Sequence, residues 1–185
     1  MLPKSIYLTS TNSWVKDVRN SVLGNSCNSN VLINNSDVEC NYDYNWTILA
    51  NNSSIATINN AHLVDSYLNS NSIEIKVETS SVDFNNVILL NEEINSGFTV
   101  ENNYQVSCFA KGNNNQEFKF RIKCIVGGST TYISSSSIQL NSSYNQYSFN
   151  FTIPTNTSQV QFQILCGKDT GDYFFDEFVA KFYFF

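Results

Sequence analysis

Charge is scarce in this sequence, and positive charge is scarcest. Only 14% of residues are Asp, Glu, Lys or Arg, against about a quarter in an average globular chain. The balance is a net charge of -6. A nucleic-acid partner needs a basic stripe to neutralise phosphates, so that class is set aside. His62 is the one histidine and no Cys-x-x-Cys pair occurs, which argues against zinc. No apolar run approaches the roughly 18 residues of a membrane span. After Met1-Leu2-Pro3-Lys4, the stretch Ser5 to Ser10 is too short and too polar for the apolar core of a secretion signal. A chain opening on its own Met1 in this way is expected to be made in the cytoplasm. The alternative is a mature piece of a secreted protein.

What is present is enough for one domain with a substantial core. The chain has 185 residues, 42% of them hydrophobic and 14% aromatic. Polarity comes from Asn and Ser spread along the whole length. Five cysteines leave at least one unpaired. Cys108, Cys124 and Cys166 fall in the apolar register of alternating stretches and are expected to be buried and reduced. Cys27 and Cys40 stay open as a pair, because spacing alone does not show one.

Residues 1–30 differ from the rest. Trp14, Val18 and Val22 recur at helical spacing between Asn12-Ser13 and Gly24, which predicts one small helix in an N-terminal arm. Such a short helix is marginal alone. It either packs on its own domain or docks on a partner protein. From residue 31 to 185 the period is two. Ile73, Ile75 and Val77 alternate with Glu74 and Lys76, and Phe118, Phe120 and Ile122 alternate with Lys119, Arg121 and Lys123. Tyr147 to Ile153 and Val160 to Cys166 repeat the pattern, and Asn-, Gly- and Ser-rich clusters separate the runs. One face of each strand meets a core and the other meets water. The expectation is an all-β fold, an antiparallel jelly-roll β-sandwich. The row Lys119, Arg121, Lys123 reads as a solvated sheet face rather than a polyanion site.

The order of segments resembles the carbohydrate-binding modules of families four, nine and twenty-two, over about residues 31–182. Their opening phrase "N-G-D-F-E" and following "G-W" strand correspond to Asn35-Ser36-Asp37-Val38-Glu39 and Trp46. Their "S-x-K-V" corresponds to Ser72 through Val77, and "Y-x-V-S-x-x-A-K" to Tyr104 through Lys111. "W-x-x-Y-S-x-x-F-T-x-P" is matched by Tyr144, Tyr147, Ser148, Phe151, Thr152 and Pro154, and "Y-x-x-D-D-V" by Tyr173 through Phe178. Ser36, Val38 and Tyr144 depart from the pattern, which leaves subfamily and sugar open.

The resemblance implies a non-catalytic binding module. It also implies a structural calcium ion joining the opening and closing strands, held by Glu39, Asp176 and Asp37. Sugar-binding modules stack rings on exposed aromatic faces and fix hydroxyls with polar side chains. Candidates are Tyr42, Tyr44, Trp46, Tyr67, Phe84 and Tyr132, with Asn86, Gln116 and Arg121 as polar companions. For catalysis, the carboxylate pairs Glu92-Glu93 and Asp169/Asp172 read as ordinary solvated charges, and His62 has no nucleophile elbow around it. An enzyme is therefore not expected. The missing signal, the arm at 1–30 and the apolar tail Phe182-Tyr183-Phe184-Phe185 favour a display protein on a virion, such as a phage head decoration or tail appendage. In that reading the arm and the tail meet protein partners, the module sits at the virion surface, and surface glycans are its ligands. The alternative is the polysaccharide-binding module of a secreted glycoside hydrolase or adhesin.

Overall fold

In the computed structural model the described residues are 32–33, 45–51, 54–62, 66–67, 71–79, 82–113 and 115–182. They form eleven strands: β1 (Trp46–Ala50), β2 (Ile55–His62), β3 (Asn71–Thr79), β4 (Val87–Asn91), β5 (Asn103–Gly112), β6 (Glu117–Val126), β7 (Ser129–Ser134), β8 (Ile138–Gln139), β9 (Asn145–Thr152), β10 (Thr157–Leu165) and β11 (Gly171–Phe182). The first sheet runs β1-β4-β10-β6-β7, with β8 also on β6, and the second runs β2-β3-β11-β5-β9. Every strand pairing is antiparallel. The expected jelly-roll sandwich is what the chain forms. Among the described residues the one helical element is a 3-10 turn at Phe84–Asn86. The helix expected within 1–30 lies outside the described residues, as do Cys27 and Cys40.

The alternation in sequence sorts side chains between core and surface. On β6, Phe118, Phe120, Ile122 and Cys124 are fully buried, and on β10 so are Val160, Phe162 and Ile164. Facing them from the second sheet are Tyr104, Val106 and Cys108 of β5 and Tyr173, Phe175 and Phe178 of β11. Leu32 and Ile33 are buried among them. Each such side chain contributes about 1.5–3 kcal/mol by leaving water, and the rings add directional contacts. Phe118 meets Phe175 edge-on at 5.4 Å, and Phe162 meets Phe178 edge-on at 5.7 Å. Cys108, Cys124 and Cys166 are free and buried, as their register predicted. Burial lifts the Cys124 thiol to about 11 and pushes Cys108 and Cys166 upward too.

Trp46 belongs to this core and not to a ligand face, which corrects its place among the sugar-stacking candidates. It is 3% exposed, with its ring 4.5 Å from Phe178 and 6.0 Å from Phe162. An indole so enclosed has no free face for a sugar. The physical reason is its register: β1 is an edge strand whose first residue turns inward between the sheets.

Two turns shape the outer face of the first sheet. Gly127 and Gly128, both with positive φ (55° and 84°), close the β6–β7 hairpin. This fixes the register that sets Tyr132 opposite Lys123 and Ser134 opposite Arg121. Gly167 lies against the turn at 83–87, where a Cβ atom would come within 2.5 Å of the Asp83 carbonyl oxygen and the Val87 nitrogen. Only a glycine lets the chain after β10 press on that turn and hold it.

Candidate functional site

Outward residues of the first sheet build a polar groove of about 430 Å³. Its floor comes from Arg121 and Lys123 on β6 and Gln161 and Gln163 on β10, which pair in register as Gln163 with Arg121 and Gln161 with Lys123. One wall is apolar, made by Leu49, Ile88 and Leu90, and Tyr132 of β7 stands on the other side. Asn51 and Asn85 close one end.

A chain of hydrogen bonds orders the floor. Arg121 Nε donates to Gln163 Oε1 at 2.6 Å, and Arg121 Nη1 donates to Asn85 Oδ1 at 2.6 Å. Gln163 Nε2 donates to Gln161 Oε1 at 2.6 Å, and Gln161 Nε2 donates to the Asn91 carbonyl at 2.9 Å. At the other end the backbone and side-chain N–H groups of Asn85 both donate to Asp83 Oδ1, at 2.9 and 3.0 Å. These bonds hold the Asp83 carboxyl below its usual range, helped by nearby Lys119. The Arg121 guanidinium lies 4.5 Å from the centre of the Tyr132 ring. Burial lowers the Arg121 pKa, a tendency that Tyr132 opposes, yet an arginine stays charged throughout the physiological range. Lys123 Nζ pairs with Glu93 Oε1 at 2.6 Å beside the groove.

Such a surface suits a polyhydroxylated ligand. Tyr132 is 53% exposed and offers a ring face to an apolar sugar surface, while the amides and guanidinium supply fixed donors and acceptors.

Of the residues expected from sequence, Arg121 and Tyr132 meet in this groove, and the others do not join them. Phe84 is half-buried in the 3-10 turn, with the ammonium groups of Lys119 and Lys168 at 4.4 and 5.5 Å from its ring centre. Its ring is therefore engaged by cations and is not among the groove-lining residues. Tyr67 lies outside the second sheet, stacked on Phe109 at 3.7 Å. Asn86 is buried, with its amide bonded to the Asp83 carbonyl. Gln116 is buried too: its Oε1 accepts from the Asn113 amide and its Nε2 donates to the Thr170 carbonyl, tying two loops together. Glu93 is paired with Lys123, and Asp169 accepts from the Glu117 amide. Tyr42 and Tyr44 lie outside the described residues. The residues missed were Gln161, Gln163 and Asn85. The alternating Gln159-Gln161-Gln163 beside Lys119-Arg121-Lys123 was the available signal. Arg121 also departs from the expected solvated face, being only 8% exposed.

Asp176 is fully buried, and its two oxygens accept the Tyr67 amide at 2.9 Å and the Glu177 amide at 2.8 Å. The strand is irregular there, with a register shift between Asp176 and Val179 and Glu177 at a φ of 47°. A buried carboxylate is the right kind of donor for calcium, which takes about six to eight oxygens. Asp37 and Glu39, the other two expected ligands, lie outside the described residues. Among the described residues no group of three or more His, Cys, Asp or Glu side chains could hold a metal ion.

A family model for the carbohydrate binding domain (CBM_4_9) matches residues 30–171. The enzymatically active domain of tailspike protein 4 from bacteriophage CBA120 is similar in structure, with a TM-score of 0.63 and 15% identity. That match covers 82% of this chain and 21% of the tailspike chain. A structure described as CBM4 gives a TM-score of 0.63 at 16% identity, covering 82% of this chain and 99% of that one. The CBM22-1 xylan-binding domain from Paenibacillus barcinonensis gives 0.59 at 13% identity, covering 75% and 85%. At these identities the likeness is one of fold. No curated protein matches the sequence.

Proposed function

The chain belongs to the carbohydrate binding domain family, and from that premise we propose that it holds a glycan in the Arg121–Tyr132 groove without breaking it. The observation that carries this is the hydrogen-bonded floor Arg121–Gln163–Gln161 beside an exposed tyrosine ring. Fixed donors and acceptors next to a ring face are what recognition of a sugar requires. The test is a glycan array with the full chain and the Tyr132→Ala variant. Retention of a glycan by the native chain, reduced at least tenfold in the variant, supports the reading. No retention by the native chain rejects it.

On this reading the module acts as a display protein of a virion. The shared fold of a phage tailspike domain supports that context, and residues 1–30 with the C-terminal aromatic tail are the segments offered to protein partners. The alternative, a polysaccharide-binding module of a secreted hydrolase or adhesin, draws on the xylan-binding neighbour. Mass spectrometry of purified particles against the secreted fraction distinguishes the two. A structural calcium ion at Asp176 is also part of the proposal. It predicts that a chelator lowers the melting temperature and that added calcium restores it.

A further inference from the structure

Among the described residues, the cations on and near the groove face differ in how their charge is met. Lys123 has Glu93, and Lys168 has Glu117 as its ion-pair partner. Lys119 lies over the Phe84 ring, close enough to Asp83 and Glu117 to hold both carboxyls down. Arg121 is the most buried of these cations and has no carboxylate partner among the described residues. Its bonds go to two neutral amide oxygens.

The orientation of those amides is consistent along the network. Gln163 turns its oxygen to Arg121 and its nitrogen to Gln161, which passes the polarity on to a backbone carbonyl. Asn85 turns its oxygen to Arg121 and its nitrogen to Asp83. The network therefore holds the guanidinium in place and solvates it without neutralising it. A desolvated cation of this kind is unfavourable unless an opposite charge meets it. A guanidinium also has more N–H groups than these two bonds use, arranged in the planar fork that matches a carboxylate. Tyr132 covers one face of that plane, which leaves recognition to its edge. The chain's net charge of -6 opposes an anionic ligand at long range. That field is screened beyond about 8 Å in physiological salt, so local charge decides.

We propose that the glycan of this groove is acidic, a uronate-containing polysaccharide whose carboxylate docks on the edge of Arg121. The proposal rests on the glycan reading and narrows it to a substrate class. A neutral hydroxyl accepts the same hydrogen bonds but leaves the buried charge unmatched.

The experiment is affinity electrophoresis of the full chain in polygalacturonate, alginate and glucuronoxylan, each before and after chemical reduction of its carboxyl groups to alcohols. At least one native polymer is expected to retard the chain, with retardation falling tenfold or more once that polymer is carboxyl-reduced. Added salt should weaken binding to the native polymer alone. Arg121→Gln should match the loss on the native polymer, and its residual binding should no longer distinguish the native polymer from the reduced one. Arg121→Lys keeps the charge without the fork and should fall between. Equal retardation by native and reduced polymers, or preference for a neutral glucan or xylan, overturns the acidic ligand while the glycan reading stands. Retardation by no acidic or neutral polymer overturns both. The reduction arm uses unaltered protein, so the test survives if Arg121→Gln fails to fold.

Discussion

The two outer faces of the sandwich start from the same alternation and end in different states. On the second sheet the outer residues bind one another. Tyr67 lies flat on Phe109 at 3.7 Å, Tyr144 sits 5.6 Å from Tyr67, and the Lys111 ammonium lies over Tyr144 at 5.0 Å and Phe174 at 4.7 Å. On the first sheet the outer residues of the groove floor are amides and cations, strung into a chain that passes through a buried guanidinium with no ion-pair partner among the described residues. The aromatic face is mutually engaged, and the polar face still has bonding capacity directed at a groove. On the reading proposed above, binding follows that unused capacity rather than aromatic content.

The largest effect that bears on this contrast lies between the faces. Trp46→Ala should cost about 3–5 kcal/mol in urea denaturation, because it opens a cavity against Phe162 and Phe178. Loss of glycan retention without loss of stability would put Trp46 back among the ligand contacts and redraw the comparison. Gln163→Leu comes next. It leaves Arg121 Nε without a partner in a buried setting and Gln161 Oε1 without one in a half-buried setting, for about 1–3 kcal/mol of destabilisation. Retention should fall as well, since Arg121 loses one of its two anchors.

A matched pair then tests the faces against each other. Tyr144→Ala should lower stability by about 1 kcal/mol through its lost ring and cation contacts, with glycan retention unchanged. Tyr132→Ala should cost about 0.5–1 kcal/mol, since the ring is half exposed but gives up its contact with the Arg121 guanidinium, and it should reduce retention. The reverse outcome would make the aromatic face the binding surface.

Much of this fold was legible because strand burial is written in period two. Phe118, Phe120, Phe162 and Cys124 stand where their alternation put them. The site was less legible for two reasons. Trp46 and Tyr132 are equally plausible sugar platforms in sequence, and only strand register sends one ring inward and the other out. Gln163, Asn85 and Arg121 come from separate segments, and their convergence depends on pairing β10 with β6 and on the turn that Gly167 holds. A row of outward cations looks solvated until neighbouring strands bury one of them. Nothing in a single strand's pattern reports that.

The smallest expected effect concerns acid. Asp83 is exposed, and its carboxyl is held down first by the backbone and then by the side-chain N–H of Asn85. A carboxyl depressed on folding stabilises the folded state fully above its ordinary value, near ~3.9, and that contribution fades as pH falls through the folded value. Asn85 in turn carries Arg121. Acidification of the ligand-free chain should therefore disturb the groove before it disturbs the aromatic face. Amide resonances of Asn85 and the Arg121 side chain are expected to shift together below about pH 4, while those of Phe109 and Tyr144 stay in place. Asp83→Asn should remove the coupled shift and leave the melting temperature nearly unchanged at neutral pH, because an exposed charge contributes little. Simultaneous shifts on both faces would mean that the sandwich loosens as a whole, and the groove would then have no separate link to Asp83.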